Sequence, residues 1–257
     1  MTNGIGKAAM FALVLASGAA QAFAQRAASD DWTSLTTRID RAVLEDDGVA
    51  LKSVRGDVLR LLVPSPPGDR ASLVHYAVAY VDLRLAFGPT LSEREQEDLL
   101  DEAEQHLERA LKIQPQFAEA MGLLSGVLGA KIAKSPMKGI TLGPRSNSLI
   151  DEALAIAPDN PRLLLSKGIG KFNTPAAFGG SDREAEALIR RALTNFDKEG
   201  NSRPWPNWGR FDAHAWLGKI LAGRGDKAGA RAEYQKALAI APNSAWIKYV
   251  LMPAVNK

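Results

Sequence analysis

Apolar residues recur every three or four positions along most of the chain, which is the spacing of one face of an α-helix. The pattern is clear over residues 93–113, where Ala103, Leu107 and Ala110 share a face and charged residues occupy most other positions. It also runs over residues 70–87 and twice within residues 31–62. The pattern therefore predicts a protein built of amphipathic helices.

A short motif repeats along the chain and marks the ends of helices. Ala-Leu-Lys-Ile-Gln-Pro ends at Pro115, and Ala-Leu-Ala-Ile-Ala-Pro ends at Pro158 and at Pro242, with spacings of 43 and 84 residues between the prolines. The wider spacing has room for two units, and residues 185–192 repeat the same alternation of small and large residues. Proline lacks the N–H that a helix interior needs, so each motif closes a helix. We therefore expect four helical hairpins.

The last copy resembles the tetratricopeptide repeat, in which small and large residues alternate at fixed spacing over two helices. The matching residues are Leu217, Gly218, Leu221, Ala230, Tyr234, Ala237 and Pro242. His214 stands in the position where the family has Trp. The resemblance covers about residues 70–252 and implies an all-α, right-handed solenoid of antiparallel hairpins. Gly218 and Ala237 would allow the two helices of this hairpin to approach closely.

Two of the hairpins contain insertions. Loops are expected at residues 135–144 and 173–180, and they lengthen the usual period of 34 residues to about 42. Residues 92–95 and 181–184 have the spacing of capping boxes that begin second helices. Insertions of this kind map to one face of a solenoid, which is often the binding face.

The first 24 residues have the layout of a secretory signal peptide. Lys7 precedes an apolar run over residues 8–16, which is too short to span a membrane, and small residues follow. Residues 25–69 are then predicted to form an N-terminal helical cap, and residues 70–257 the repeat domain. We expect a periplasmic or secreted protein with no integral membrane segment after cleavage.

Composition narrows the possible functions further. The chain has no cysteine, so we expect no disulfide, no thiolate metal ligand and no lipid attached near the cleavage site. Without the leader, 31 Lys and Arg balance 29 Asp and Glu. This even charge does not point to nucleic acid as a partner.

Candidate catalytic and metal-binding patterns are weak. His75, His106 and His214 lie far apart in sequence, and no nucleophile elbow or phosphate loop is present, so we expect no metal, no cofactor and no enzyme. The acidic run within residues 93–108 fits the solvent face of a helix. A hydrolase that pairs one of these carboxylates with Asp212 remains an alternative.

Two stretches place aromatic residues among proline and glycine. Phe178 lies within residues 173–180, and Trp205 and Trp208 lie within residues 203–210. Exposed aromatic side chains on shaped loops are typical of binding sites. Alternatively, these three side chains fold back and fill gaps between hairpins.

The family resemblance also implies a concave groove, lined by the first helix of each hairpin, that binds an extended peptide or a partner helix. By spacing, the groove-facing set comprises Tyr76, Tyr80, Arg84, Glu119, Gly122, Gly126, Arg162, Leu165, Ile169, Asp212, Ala215 and Lys219. Gly122, Gly126 and Gly129 share a face of one helix, where close helix contact or a ligand against bare backbone could explain them.

The sequence thus favours a periplasmic protein-binding scaffold, an adaptor or assembly factor, whose partner is a protein or peptide of the cell envelope. One alternative is a repeat component of a solute uptake system that binds a small apolar ligand. The hydrolase described above is the other.

Overall fold

The computed structural model describes residues 31–64, 66–88, 90–199 and 205–256, and the predicted signal peptide lies outside these residues. The first helix, α1, covers residues 31–44. The later helices are α2 (Gly48–Arg60), α3 (Gly68–Leu85), α4 (Glu93–Ile113), α5 (Ala118–Lys134), α6 (Gly139–Ile156), α7 (Pro161–Asn173), α8 (Asp182–Glu199), α9 (Arg210–Gly223), α10 (Lys227–Ile240) and α11 (Met252–Asn256). The described residues contain no β-strand, and the predicted all-α class is confirmed.

Contacts divide the chain into residues 1–38 and residues 39–257, and all the hairpins belong to the second unit. In that unit α3 packs with α4, α5 with α6, α7 with α8, and α9 with α10. Neighbouring hairpins pack through α4–α5, α5–α7 and α8–α9. The predicted solenoid of four hairpins is confirmed. The predicted boundary between a cap at residues 25–69 and the repeats stays a prediction. No described helix is long and apolar enough to cross a membrane.

Small residues lie where the paired helices come closest. A Cβ atom added at Gly218 would lie 2.3 Å from the ring of Tyr234, and Ala237 is fully buried, so the predicted close contact of α9 with α10 is confirmed. In α5, close helix contact is confirmed for Gly122, where an added Cβ would lie 2.3 Å from the Leu163 side chain. It is wrong for Gly126 and Gly129, where an added Cβ would meet no atom within 4 Å.

The predicted starts of second helices are confirmed. The Ser92 hydroxyl accepts from the backbone N–H of Glu95 at 3.3 Å, and the Glu95 carboxylate accepts from the Ser92 N–H at 2.8 Å, which completes a capping box at α4. The Ser181 hydroxyl accepts from the Glu184 N–H at 3.2 Å. The Glu184 carboxylate pairs with Lys171.

The loop predicted at residues 135–144 is wrong. A 3₁₀ turn, Pro136–Lys138, leads directly into α6, and Pro144 lies inside that helix. Proline there removes only the hydrogen bond to Ile140, in the first turns of the helix, where Ile140 is exposed and water can satisfy its carbonyl. The loop predicted at residues 173–180 is confirmed, with a 3₁₀ turn at Ala176–Phe178.

Candidate functional site

The predicted groove residues lie on the first helices of the hairpins, and we call this surface the first-helix face. Its buried members are Tyr76, Tyr80, Gly122, Arg162, Leu165, Asp212 and Ala215, whereas Arg84, Glu119, Ile169 and Lys219 are half-buried and Gly126 is exposed. The buried members do not line an open groove in this structure. Binding by the groove-facing set stays a prediction.

Trp208 covers the α3 part of the first-helix face. Its indole stacks on the ring of Tyr80, with centroids 4.9 Å apart and planes inclined by 19°. Its Nε1 donates a hydrogen bond to the hydroxyl of Tyr76 at 2.9 Å. The two tyrosines, Tyr76 and Tyr80, are 0% and 2% exposed. Trp208 therefore fills a gap between helices and is not an exposed anchor.

Trp205 packs beside Trp208 on the same two tyrosines. Its ring meets Tyr76 and Tyr80 edge-on, with centroid distances of 5.4 and 6.2 Å. Its Nε1 donates to a carboxylate oxygen of Asp40 in α1 at 3.2 Å. Burial raises the pKa of Asp40 to about 6, although the hydrogen bond from Trp205 favours the charged form. Trp205 is buried, whereas Trp208 is half-buried. Residues 200–204, which precede Trp205, lie outside the described residues.

Arg162 of α7 holds the backbone that leads into α9. Its Nη1 donates to the carbonyl of Trp208 at 3.2 Å, and its Nη2 bonds to the carboxylate of Glu199 at 2.5 Å. Its guanidinium also lies 5.5 Å from the centre of the Phe196 ring. A guanidinium that is 1% exposed needs such partners, because a buried charge without hydrogen bonds is costly.

The carboxylate pair suggested for a hydrolase does not form. Asp212 in α9 accepts a hydrogen bond from Arg84 in α3 at 2.9 Å. On α4, Asp101 and Glu104 bond to Lys131. Asp212 and these two acids of α4 thus pair with cations and not with each other.

An open cleft of about 500 Å³ adjoins the segment that contains Trp205. It lies where the turns between successive hairpins meet the start of α3. Its lining combines two carboxylates (Asp69 and Glu119), three amides (Gln114, Gln116 and Asn160) and apolar side chains that include Leu73, Phe117, Ile156 and Trp205. Asn160 donates to Glu119 at 2.8 Å, which fixes one carboxylate at the rim. Within the described residues, no lysine or arginine lines the cleft.

The loop at residues 173–180, which we call the Phe178 loop, differs from residues 205–209, which we call the Trp segment, because its aromatic side chain faces solvent. Phe178 is 79% exposed at the end of its 3₁₀ turn. Gly179 has a φ of 89°, and a Cβ at Gly180 would lie 1.6 Å from the carbonyl oxygen of Thr174, so both positions favour glycine. Lys171 donates to the Gly179 carbonyl at 3.1 Å. The loop has a defined shape, and the gap-filling alternative does not hold for Phe178.

A histidine pair is a feature that the sequence did not indicate. The Nδ1 atoms of His75 in α3 and His106 in α4 are 2.8 Å apart, so one ring donates and the other accepts. Burial, together with His75 and Arg109, lowers the pKa of His106 to about 4. The residues are 31 positions apart, and only the hairpin brings them together.

Lys219, predicted from its spacing to face a ligand, contacts aromatic rings of its own chain. Its Nζ lies 3.8 Å from the centre of the Trp216 ring and within 6 Å of the Phe172 and Trp246 ring centres. Burial lowers the pKa of Lys219. This is a cation–π cluster that joins α7, α9 and the π-helical segment Trp246–Leu251.

Comparisons with known proteins agree with this fold. Residues 211–244 match the family described as tetratricopeptide repeat. The HusA haemophore from Porphyromonas gingivalis superimposes with a TM-score of 0.61 at 24% identity, over 73% of this chain and 92% of that one. TTC0263, a thermophilic TPR protein of Thermus thermophilus, gives 0.59 at 18% identity, over 83% and 98%. No curated protein matches the chain. Residues 211–244 are thus similar to a tetratricopeptide repeat, and the chain as a whole shares the fold of helical hairpins seen in these two structures.

Proposed function

We propose that this protein is a scaffold of the bacterial cell envelope that binds an extended segment of a partner protein in the cleft beside Trp205. Tetratricopeptide folds typically serve as protein-interaction scaffolds, and the described residues form such a fold. The observation that carries the proposal is the lining of the cleft. Its amides can bond to a peptide backbone, and its apolar walls can hold side chains.

The charge of the cleft favours a basic segment. Asp69 and Glu119 are its only charged lining residues among those described. Both carboxylates attract a lysine or arginine of the ligand, and they repel a ligand rich in carboxylates. The location in the envelope is supported by the signal-like features of residues 1–24.

Site-specific photo-crosslinking tests the binding site. A photoreactive amino acid replaces Gln116 in the cleft, or the exposed Gln105 of α4 as a matched control outside it. In cells of the source organism, the Gln116 position should yield discrete adducts that the Gln105 position does not. The double variant Asp69→Asn and Glu119→Gln should weaken these adducts, whereas Glu97→Gln on an exposed part of α4 should not. Equal adducts at both positions would contradict the proposal.

The location has its own test. Cell fractionation should recover the protein with the envelope or periplasm, and sequencing of its first residues should read from Gln25. An intact Met1 in the cytoplasmic fraction would contradict export, and it would leave the cleft proposal standing.

The small-ligand alternative fits this cleft less well. A haemophore shares the fold, but at this identity the likeness concerns the fold alone. Among the described residues the cleft lining holds no histidine, methionine, lysine or arginine, which are the side chains that would bind haem iron or its carboxylates. Native mass spectrometry of protein from its source separates the two functions, since a retained small molecule would favour uptake and a retained peptide the scaffold.

A further inference from the structure

The segment Trp205–Gly209 lies on the first-helix face in the manner of a bound peptide. It has no helical or strand structure, and side chains from three different helices hold it. Trp208 stacks on Tyr80 of α3, the Trp208 carbonyl is bound by Arg162 of α7, and the Trp205 indole is bound by Asp40 of α1. Two aromatic rings and one backbone carbonyl are thus recognised by separate groups.

The shape of the segment fits this position. Gly209 has a φ of 116°, and a Cβ there would lie 2.7 Å from the ring of Phe196. Only glycine allows the chain to turn from Trp208 into α9 at this point. Pro206 has no N–H, so its backbone makes no demand for a hydrogen-bond acceptor on the face.

The segment does not use all the polar groups of the face. The hydroxyl of Tyr80 and the Nε of Arg162 are buried and have no hydrogen-bond partner among the described residues. Buried donors without acceptors are rare in proteins. The first-helix face therefore has two polar groups, in addition to those that hold residues 205–209, that are available to form hydrogen bonds with a ligand.

We propose that the first-helix face around Tyr76 and Tyr80 is a binding site for a peptide with two aromatic residues three positions apart, the first followed by proline, and that Trp205–Gly209 is its internal ligand. A partner with such a segment binds by competition. Because a tethered ligand acts at an effective concentration near millimolar, it weakens the apparent affinity for the partner.

This inference goes beyond the proposed function, because it concerns the surface beneath the Trp segment, whereas the cleft lies beside it. Either can fail alone. Loss of the crosslinks at Gln116 would contradict the cleft, and the peptide experiment below would be unaffected.

Binding of the segment in trans tests the inference. The probe is a fluorescein-labelled hexapeptide with the sequence of residues 205–210, Trp-Pro-Asn-Trp-Gly-Arg, and the control peptide has alanine at both tryptophans. Fluorescence anisotropy compares the wild-type chain with the variant Trp205→Ala and Trp208→Ala. We expect the probe to bind the variant at least tenfold more tightly than the wild type, and the control peptide to bind neither.

If the double variant does not fold, the single variant Trp208→Ala still tests peptide binding. Trp208→Ala leaves Trp205 and its bond to Asp40 in place and empties only the stacking position on Tyr80. The hexapeptide and N-acetyl-tryptophanamide should each raise the melting temperature of this variant and leave that of the wild type unchanged. Equal binding to wild type and variant, or no binding to either, would overturn the inference.

Discussion

The guanidinium of Arg84 and the carboxylate of Asp212 lie 2.9 Å apart, although 128 residues separate them in the chain. Arg84 belongs to the first hairpin and Asp212 to the last, so the ion pair joins the two ends of the first-helix face. Both side chains are largely buried, at 24% and 11% exposure. This contact therefore ties the first repeat to the fourth.

Removal of either partner should destabilise the protein. Because Arg84→Met or Asp212→Asn leaves the other group poorly solvated, each should lower the free energy of unfolding by about 1–3 kcal/mol. The double variant should lose less than the sum of the two. The more exposed pair Lys167–Asp151 is the matched control, and its loss should cost less than about 1 kcal/mol. Urea unfolding of the single and double variants of both pairs is the measurement. If the losses from Arg84→Met and Asp212→Asn simply add in the double variant, the two side chains are not energetically coupled.

Two helical glycines should respond in opposite directions to alanine. Gly218→Ala places a methyl group 2.3 Å from the buried ring of Tyr234, so we expect a loss of about 1–3 kcal/mol. Gly126→Ala adds a methyl group in open space on α5, and it should stabilise the protein by about 0.5–1 kcal/mol through helix propensity. Thermal melting of both variants is the measurement. A similar loss in both would mean that Gly126 also lies against a neighbouring element.

Local patterns are enough to predict the helices and their pairing. Prolines such as Pro115 and Pro158 end helices because they lack the backbone N–H that a helix interior needs. Small residues at repeat spacing, such as Gly218, indicate close helix packing independently of distant residues. The loop prediction at Pro144 is wrong because it rests on the same local chemistry. The cost of a proline depends on the exposure of the carbonyl it leaves free, which the sequence pattern does not show.

The candidate site depends on contacts that no local pattern encodes. Spacing places Tyr76 and Tyr80 correctly on one face of α3, but Trp208, 132 residues away from Tyr76, decides that they are covered. The Trp segment and the Phe178 loop have similar compositions, yet Trp205 is buried and Trp208 half-buried, whereas Phe178 is exposed. The difference arises because the two tryptophans pack on a pair of tyrosines in α3, which is distant in sequence. The residues near either loop do not indicate this contact.

The two aromatic loops should therefore differ in their effect on stability. Trp208→Ala removes a stacked ring and a hydrogen bond, and we expect a loss of about 2–4 kcal/mol, close to that of a core aromatic residue. Phe178→Ala removes a side chain that is 79% exposed, and it should change stability by less than about 0.5 kcal/mol. Chemical denaturation monitored by circular dichroism compares them directly. A neutral Trp208→Ala would show that the segment is not packed on Tyr80 in solution.

We expect Asp40 to lower the stability of the protein as the pH rises, and the variant Asp40→Asn tests this dependence. Burial raises the pKa of Asp40 from 3.8 to about 6 in the folded chain, so the folded state holds its proton more tightly than the unfolded state does. Stability from this group is thus present below about pH 4 and is lost as the pH rises through about 6. One pKa unit corresponds to about 1.4 kcal/mol, so the loss amounts to at most about 3 kcal/mol.

The asparagine of the Asp40→Asn variant can still accept the hydrogen bond from Trp205 and carries no charge. We therefore expect this variant to match the wild type near pH 3.5 and to exceed its stability by about 2–3 kcal/mol above pH 7, measured by urea unfolding across this range. The difference between the two proteins is the relevant quantity, because Asp82 has a pKa that burial raises to about 6 in both of them. Glu97→Gln at an exposed position of α4 controls for the loss of one negative charge. A difference between Asp40→Asn and wild type that is constant from about pH 3.5 to about pH 8 would show that Asp40 is solvated and that Trp205 is not held against it.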